Sequence, residues 1–271
     1  MRMPEVIYGT AWKEADTERL VALAIRQGFR GIDTACQPKH YNESGVGAGI
    51  AGCLVDGLAR EDIYLQTKFT AVSGQDPSRI PYDPAAPLAE QVTQSFAASL
   101  RNLETDYLDC LVLHSPLPTA KQTLQVWRAI EDIVDSGDVL QAGISNCYEL
   151  AELQELYRAA RIKPSVLQNR FYADTAYDRE VRAFCRQQGI VYQSFWTLTA
   201  NPRVLAHAAI AALASVHGRT PAQILFRYLT QAGVVPLIGT RSEVHMRADL
   251  SIFEFELTAE ERGAVDAVLG N

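Results

Sequence analysis

The residues in this sequence that can do chemistry stand at the ends of short apolar runs. Asp33 falls within the run at 31–34, and His40 and Tyr41 follow it in a polar loop. Lys68 ends the run at 63–69, His114 follows 108–113, Ser145-Asn146 follows 139–144 and Gln168 ends 166–168. Phe195 closes 190–195, and Gly239-Thr240-Arg241 follows 234–238. An acid at a strand end and a phenol in the next loop can form an acid–base pair. A lysine near that phenol favours the phenolate and is expected to lower its pKa from about 10 toward the working range. An aspartate paired with the lysine holds it charged and in place, and a neutral histidine beside them can orient a carbonyl oxygen. Tyr, Lys, Asp and His together make a proton donor for a carbonyl oxygen, as carbonyl reduction requires.

Each of these residues also has a plainer explanation. Asp33 can cap a turn, Lys68 can snorkel to solvent, and a lone His114 is more often a satisfied core histidine. Ser145-Asn146 can cap a helix, Phe195 can be core, and Arg241 can be a solvated loop charge. Convergence on one rim is what weakens those explanations, and convergence depends on the fold.

The elements that must position these side chains alternate. Apolar runs at 6–9, 31–34, 63–69, 108–113, 139–144, 166–168, 190–195 and 234–238 read as strands, each followed by a helical pattern. Asp16 is expected to cap the first helix, Gly28 to end it, and a second helix to begin near Glu43. Thr220-Pro221-Ala222-Gln223 and Thr258 with Glu261 read as capping boxes. Eight strand–helix units without a linker predict α/β architecture, a single (β/α)8 TIM barrel spanning residues 1–271. The alternative, a doubly wound open sheet, would want a G-x-G-x-x-G turn after the first strand, and the sequence has none there. In a barrel of this kind the functional groups gather where the strands end.

Composition removes several classes of function. A net charge of −7 and a pI near 5.3 argue against nucleic-acid or anionic-membrane partners. The five cysteines are widely spaced, with no C-x-x-C, which suits free thiols in a reducing compartment. No stretch approaches the ~18 apolar residues of a membrane span, and the first residues do not read as a signal peptide. A cytoplasmic protein is the expectation. There is no H-E-x-x-H, G-x-S-x-G or P-loop, so no metal is expected and a hydride would have to come from a bound cofactor.

The segments GFRGIDTA, LQTKF, LVLHSP, GISN and LQNRFY, in this order and spacing, resemble the aldo-keto reductases over nearly the whole chain. The resemblance implies a catalytic set of Asp33, Tyr41, Lys68 and His114, with Tyr41 the general acid, Lys68 and Asp33 tuning it, and His114 orienting the carbonyl. It further implies that Ser145, Asn146 and Gln168 bond the nicotinamide carboxamide and that Phe195 stacks on the nicotinamide ring. Gly239, Thr240, Arg241 and Asp249 would surround the adenosine, with Thr240 and Arg241 on its 2′-phosphate. Trp12 would line the substrate pocket with Tyr41 and His114. NADPH is the cofactor implied, with NADH possible, and the partner is a small carbonyl compound bound by a monomer.

The sequence departs from the family pattern in four places. Pro38 occupies the usual position of the tyrosine, five residues after the aspartate, and 36–40 reads as a short insertion that moves the phenol to Tyr41, with His40 the runner-up. His245, Ala248 and Asp249 replace an arginine and a Glu-Asn pair near the adenine, leaving Arg241 as the main phosphate contact. The long C-terminal loop of many members is absent, which predicts an open pocket. Trp196-Thr197 replaces Ser-Pro after the stacking position. Two other readings remain: a nucleotide-binding barrel that does little chemistry, acting as a sensor or scaffold, and a Schiff-base enzyme using Lys68.

Overall fold

The apolar runs do form a closed barrel. The computed structural model describes residues 3–270. Strands β1 (Ile7–Gly9), β2 (Gly31–Asp33), β3 (Tyr64–Phe69), β4 (Cys110–Leu113), β5 (Ala142–Ser145), β6 (Val166–Arg170), β7 (Val191–Phe195) and β8 (Val234–Ile238) pair in sequence order, all parallel, and β8 closes on β1. This is the (β/α)8 barrel expected. Around it lie α1 (Thr17–Gln27), α2 (Glu43–Val55), α3 (Leu88–Leu103), α4 (Ala120–Ser136), α5 (Leu150–Ala159) and α6 (Arg179–Gln188). The segment after β7 carries α7 (Pro202–Leu205), α8 (Ala208–His217) and α9 (Pro221–Gln231); α10 (Glu243–Leu250) and α11 (Ala259–Val268) follow β8. No described helix is long and apolar enough to cross a membrane.

The barrel interior is layered, and the layering positions the site. Ile7, Tyr64, Cys110, Val112 and Val166 fill one end with apolar side chains. Above them lies a layer of amides. Gln66 donates to Gln193 Oε1 (2.8 Å), Gln193 donates back to Gln66 Oε1 (2.9 Å), and Gln168 donates to Gln193 Oε1 (2.9 Å). All three glutamines are buried, and the mutual hydrogen bonds are what make that burial tolerable. Asp33 rests on this layer at the end of β2.

The helix signals mostly hold. Thr220 and Thr258 make the capping boxes, and Gly28 ends α1 in the left-handed region at φ 116°. Asp16 does not cap α1. The chain enters that helix through a 3-10 turn, Glu14–Asp16, and the Thr17 hydroxyl donates to the Glu14 carbonyl (2.8 Å). The Asp16 carboxylate turns instead to Arg19 (3.3 Å) and Arg241 (3.4 Å).

Two strand boundaries differ informatively from the sequence reading. β4 begins at Cys110: an isolated bridge from Leu108 to Val139 precedes it, and between them the Asp109 carboxylate accepts the Leu65 amide hydrogen on the β3 side (3.0 Å). β6 runs past Gln168 to Arg170, which pairs with Phe195. Gln168 is therefore part of the inner wall, and Arg170 stands at the rim.

Candidate active site

Asp33 and Lys68 form the centre of the site. β3 alternates its side chains, sending Gln66 and Lys68 inward while Thr67 faces α2 and donates to Glu43 (2.6 Å). Lys68 Nζ donates to both carboxylate oxygens of Asp33 (2.6 and 2.7 Å) and to the Thr34 carbonyl (2.7 Å). Asp33 Oδ1 also accepts from Gln66 (2.7 Å) and Gln168 (3.0 Å). Both charged groups are almost fully buried. Burial pulls the ammonium down from the ordinary lysine range, and Asp33 opposes that pull.

Tyr41 reaches this pair. The loop after β2 folds back so that the His40 and Tyr41 amides both donate to the Gln37 carbonyl (3.1 Å each), and Asn42 caps α2 through the Gly45 amide (3.0 Å). The segment containing Pro38 thus forms a turn that carries the phenol to the lysine. Lys68 Nζ lies 5.2 Å from the Tyr41 ring centroid, and the His114 ring is 6.0 Å away, edge to face. The lowered phenol pKa expected from the sequence is not found. Burial, reinforced by Asp33, raises it above the ordinary tyrosine range. Burial is the larger cause and the Asp33 charge adds to it, while the Lys68 ammonium hydrogens are engaged by Asp33 and Thr34. The phenol is therefore held protonated, which is the form a proton donor needs.

His40 stacks on Trp12 with ring centroids 3.8 Å apart, and the Trp12 amide donates to the His40 carbonyl (2.8 Å). This stack walls the cleft beside Tyr41.

His114 is poised as a neutral imidazole. Burial, then the Lys68 charge, then His40 push its pKa down to about 3. Its Nδ1 lies 2.6 Å from the Thr70 hydroxyl. That hydroxyl has no other acceptor among the described residues, so it donates to Nδ1 and leaves the hydrogen of the ring on Nε2. Thr70 is itself fixed, because Tyr82 (2.7 Å) and Gln75 (3.1 Å) donate to its carbonyl.

The next three strands complete the wall. Ser145 Oγ donates to the Gln168 carbonyl (2.6 Å). Asn146, left-handed at φ 54°, spends its amide hydrogens on the His114 carbonyl (2.9 Å) and Ser145 Oγ (3.2 Å), while Tyr148 donates to its Oδ1 (3.1 Å). Gln168 has committed its amide hydrogens to Asp33 and Gln193, and its Oε1 remains available at the cleft. Ser145, Asn146 and Gln168 line one cleft of about 840 Å³ together with Asp33, Tyr41 and His114, and it continues past Phe195 and Trp196 to Thr240, His245 and Asp249.

Residues 6–269 match the family model described as the aldo/keto reductase family. The chain belongs to this family. Its members are oxidoreductases of carbonyl compounds. The chain is 32% identical over 248 residues to the glyoxal reductase of Bacillus subtilis, covering 92% of this chain and 82% of the relative. Among solved structures it is similar to an aldo/keto reductase from Brucella melitensis, with 27% identity, a TM-score of 0.83 and coverage of 98% and 95% of the two chains. It is also similar to an aldo-keto reductase from Bombyx mori in complex with NADP, with 25% identity, a TM-score of 0.83 and coverage of 98% and 89%.

At the β8 end of this aldo-keto reductase the arrangement differs from expectation. Arg241 does not line the cleft. Its guanidinium donates to the Lys13 carbonyl (2.9 Å) and pairs with Asp16 (3.4 Å), because the loop after β8 folds against the start of α1. Thr240 lines the cleft, with its Oγ1 accepting from the Ser242 amide (3.1 Å). Asp249 faces the cleft only 6% exposed, and burial raises its pKa to about 7. Lys13, beneath the Trp12 turn, donates to the Gly239 carbonyl and is brought down to about 8, by burial and then by Arg241.

Lys13, Thr70, Arg170 and the amides Gln66 and Gln193 were not singled out in the sequence. A period-two count would have paired Gln66 with Lys68, Gln168 with Arg170 and Gln193 with Phe195 on the inner face. Nothing in the sequence marks Thr70 as the partner of His114.

Proposed function

We propose that this aldo-keto reductase reduces an aldehyde or ketone to an alcohol, with NADPH as the hydride donor and NADH as the alternative. The observation that carries the reading is the meeting of a neutral phenol, a neutral imidazole and Asp33 on one wall of a single cleft, with Lys68 buried behind that wall against Asp33. A nicotinamide dinucleotide fits the residues present. Phe195 offers an aromatic face at the end of β7, Gln168 Oε1 can accept from a carboxamide beside Ser145 and Asn146, and the cleft extends to Thr240 and Asp249 at the adenosine end. The NADP bound to the Bombyx mori relative supports NADPH, and Lys13, which lines the cleft, and Arg241, which donates to the Lys13 carbonyl, are cations on that side.

The bound nicotinamide supplies a hydride to the carbonyl carbon. Tyr41 gives the proton to the carbonyl oxygen, so hydride and proton together make the alcohol. The Lys68 ammonium, 5.2 Å from the Tyr41 ring, is a positive charge beside the phenolate left behind. Its hydrogens stay engaged by Asp33 and Thr34, and Asp33 with its amide support holds it in place. His114 donates from Nε2 to the same oxygen and sets its position. The cleft walls at Trp12 and His40 bound the substrate. Lys68 has no free lone pair while it makes three hydrogen bonds, which weighs against a Schiff-base role.

The test is oxidation of NADPH with a nitrobenzaldehyde, followed by loss of reduced-nicotinamide absorbance, in wild type and Tyr41→Phe. Turnover should fall by about 10²-fold or more in the mutant. Unchanged turnover would remove Tyr41 from the acid's role and move attention to His40. Tight NADPH binding without turnover on a broad carbonyl panel would favour the nucleotide-binding reading.

A further inference from the structure

Arg170 ends β6 at the rim of the cleft, between Asn146 and the end of β7. Its backbone is fixed: the Arg170 amide donates to the Tyr148 hydroxyl (3.2 Å), which in turn donates to Asn146, and β6 pairs it with Phe195. Its guanidinium lies 4.3 Å from the Trp196 ring centroid and 5.2 Å from that of Tyr172. Trp196 is held in the left-handed region at φ 54°, a conformation unfavourable for a bulky residue, and 47% of it is exposed. Stacking of this kind covers the faces of a guanidinium and leaves its in-plane hydrogens for acceptors. Among the described residues none of those hydrogens has an acceptor and no carboxylate lies within ion-pairing distance. Nε is buried and unpartnered. In a chain of net charge −7, where Arg60, Arg161 and Arg219 among others find carboxylates, this is a cation at the cleft with no described acceptor.

We infer that Arg170 is an oxyanion-binding residue of the cleft, taking a planar carboxylate or a phosphate through its in-plane N–H groups, with Trp196 and Tyr172 fixing its orientation. The anion has two possible sources with the same chemistry: the diphosphate of the dinucleotide, or an acidic group carried by the carbonyl substrate. The second rests on the reductase reading; the binding chemistry itself does not. A fork already oriented loses little freedom on binding, and each charge-assisted pair is stronger than a neutral hydrogen bond.

The experiment is equilibrium titration of the full chain and of its Arg170→Met and Arg170→Lys variants by calorimetry. The probes are NADPH, inorganic pyrophosphate, and benzoate with benzamide as its neutral counterpart. Methionine keeps apolar bulk between the two rings and removes the donors; lysine keeps the charge and removes the fork. The expected result is a loss of about 10- to 100-fold in affinity for at least one oxyanion in the methionine variant, a smaller loss in the lysine variant, and no loss for benzamide. A loss confined to NADPH and pyrophosphate assigns the site to the dinucleotide. A loss for benzoate assigns it to an acidic substrate, and the wild-type preference for a carboxybenzaldehyde over benzaldehyde should then shrink with it. Equal affinities for every oxyanion across all three proteins would overturn the inference. Because the readout is binding, failure of the reductase reading would appear separately, as absence of turnover with the oxyanion affinities intact.

Discussion

His114 can donate a hydrogen to a carbonyl oxygen only while its Nδ1 stays bare, and Thr70 is the group that keeps it so. The 2.6 Å contact is the one acceptor available to that buried hydroxyl, and stranding a buried donor costs about 1–3 kcal/mol. Thr70→Val frees the ring to place its hydrogen on Nδ1. We expect kcat/KM for carbonyl reduction to drop by roughly 10- to 100-fold in that variant and to recover in Thr70→Ser. Equal rates in the valine and serine variants would show that the hydroxyl has no such role. The imidazole also makes a pH prediction. Its folded pKa of about 3 lies below the ordinary value of 6.5, so its share of stability is fully present above 6.5 and is lost as pH falls toward 3. The pH profile of reductive kcat/KM should therefore show no acid limb near 6.5 that disappears in His114→Gln.

Between residue and barrel stand close helix contacts, and α2 is the tightest. A Cβ on Gly47 would lie 2.4 Å from the Asn102 carbonyl oxygen and 2.9 Å from the Leu103 backbone of α3. Neither backbone can yield as a side-chain tip would. Gly47→Ala should destabilise the fold by about 1–3 kcal/mol, read as a lower denaturant midpoint, and loosen the helix that begins two residues after Tyr41. A midpoint equal to wild type would mean α2 and α3 can move apart freely. The helix ends were legible where one residue's own side chain does the capping, as at Thr220 and Thr258. Asp16 was misread because the chain enters α1 through a 3-10 turn and the carboxylate turns to Arg19 and to the distant Arg241, a contact that no local pattern reveals. Likewise the residues at strand ends were legible from the apolar runs, whereas the reach of β6 to Arg170 follows from pairing with β7. The phenol's raised pKa was also hidden, since it depends first on how deeply the loop buries Tyr41 and then on the nearby Asp33 charge, and neither is visible in the sequence.

Across the whole molecule the cleft joins two different electrostatic environments. The neutral acid–imidazole wall lies at β2–β4, and the β8 end carries Asp249, which no described side chain pairs or hydrogen-bonds. With its folded pKa near 7, above the ordinary 3.8, Asp249 contributes stability at low pH that is lost as pH rises from about 4 to 7. Asp249→Asn should accordingly gain stability relative to wild type at pH 8 and little at pH 4, by chemical denaturation. The same ionisation faces the end of the cleft assigned above to adenosine. A 2′-phosphate beside the carboxylate is repelled once Asp249 ionises, whereas a ribose hydroxyl can donate to it. The ratio of NADPH to NADH affinity, measured by fluorescence titration, should therefore fall on the order of tenfold between pH 6 and pH 8 in wild type. In Asp249→Asn the ratio should not change across that interval. A wild-type ratio independent of pH would place the 2′-phosphate away from Asp249, toward Thr240 and the Arg241 guanidinium released from Asp16.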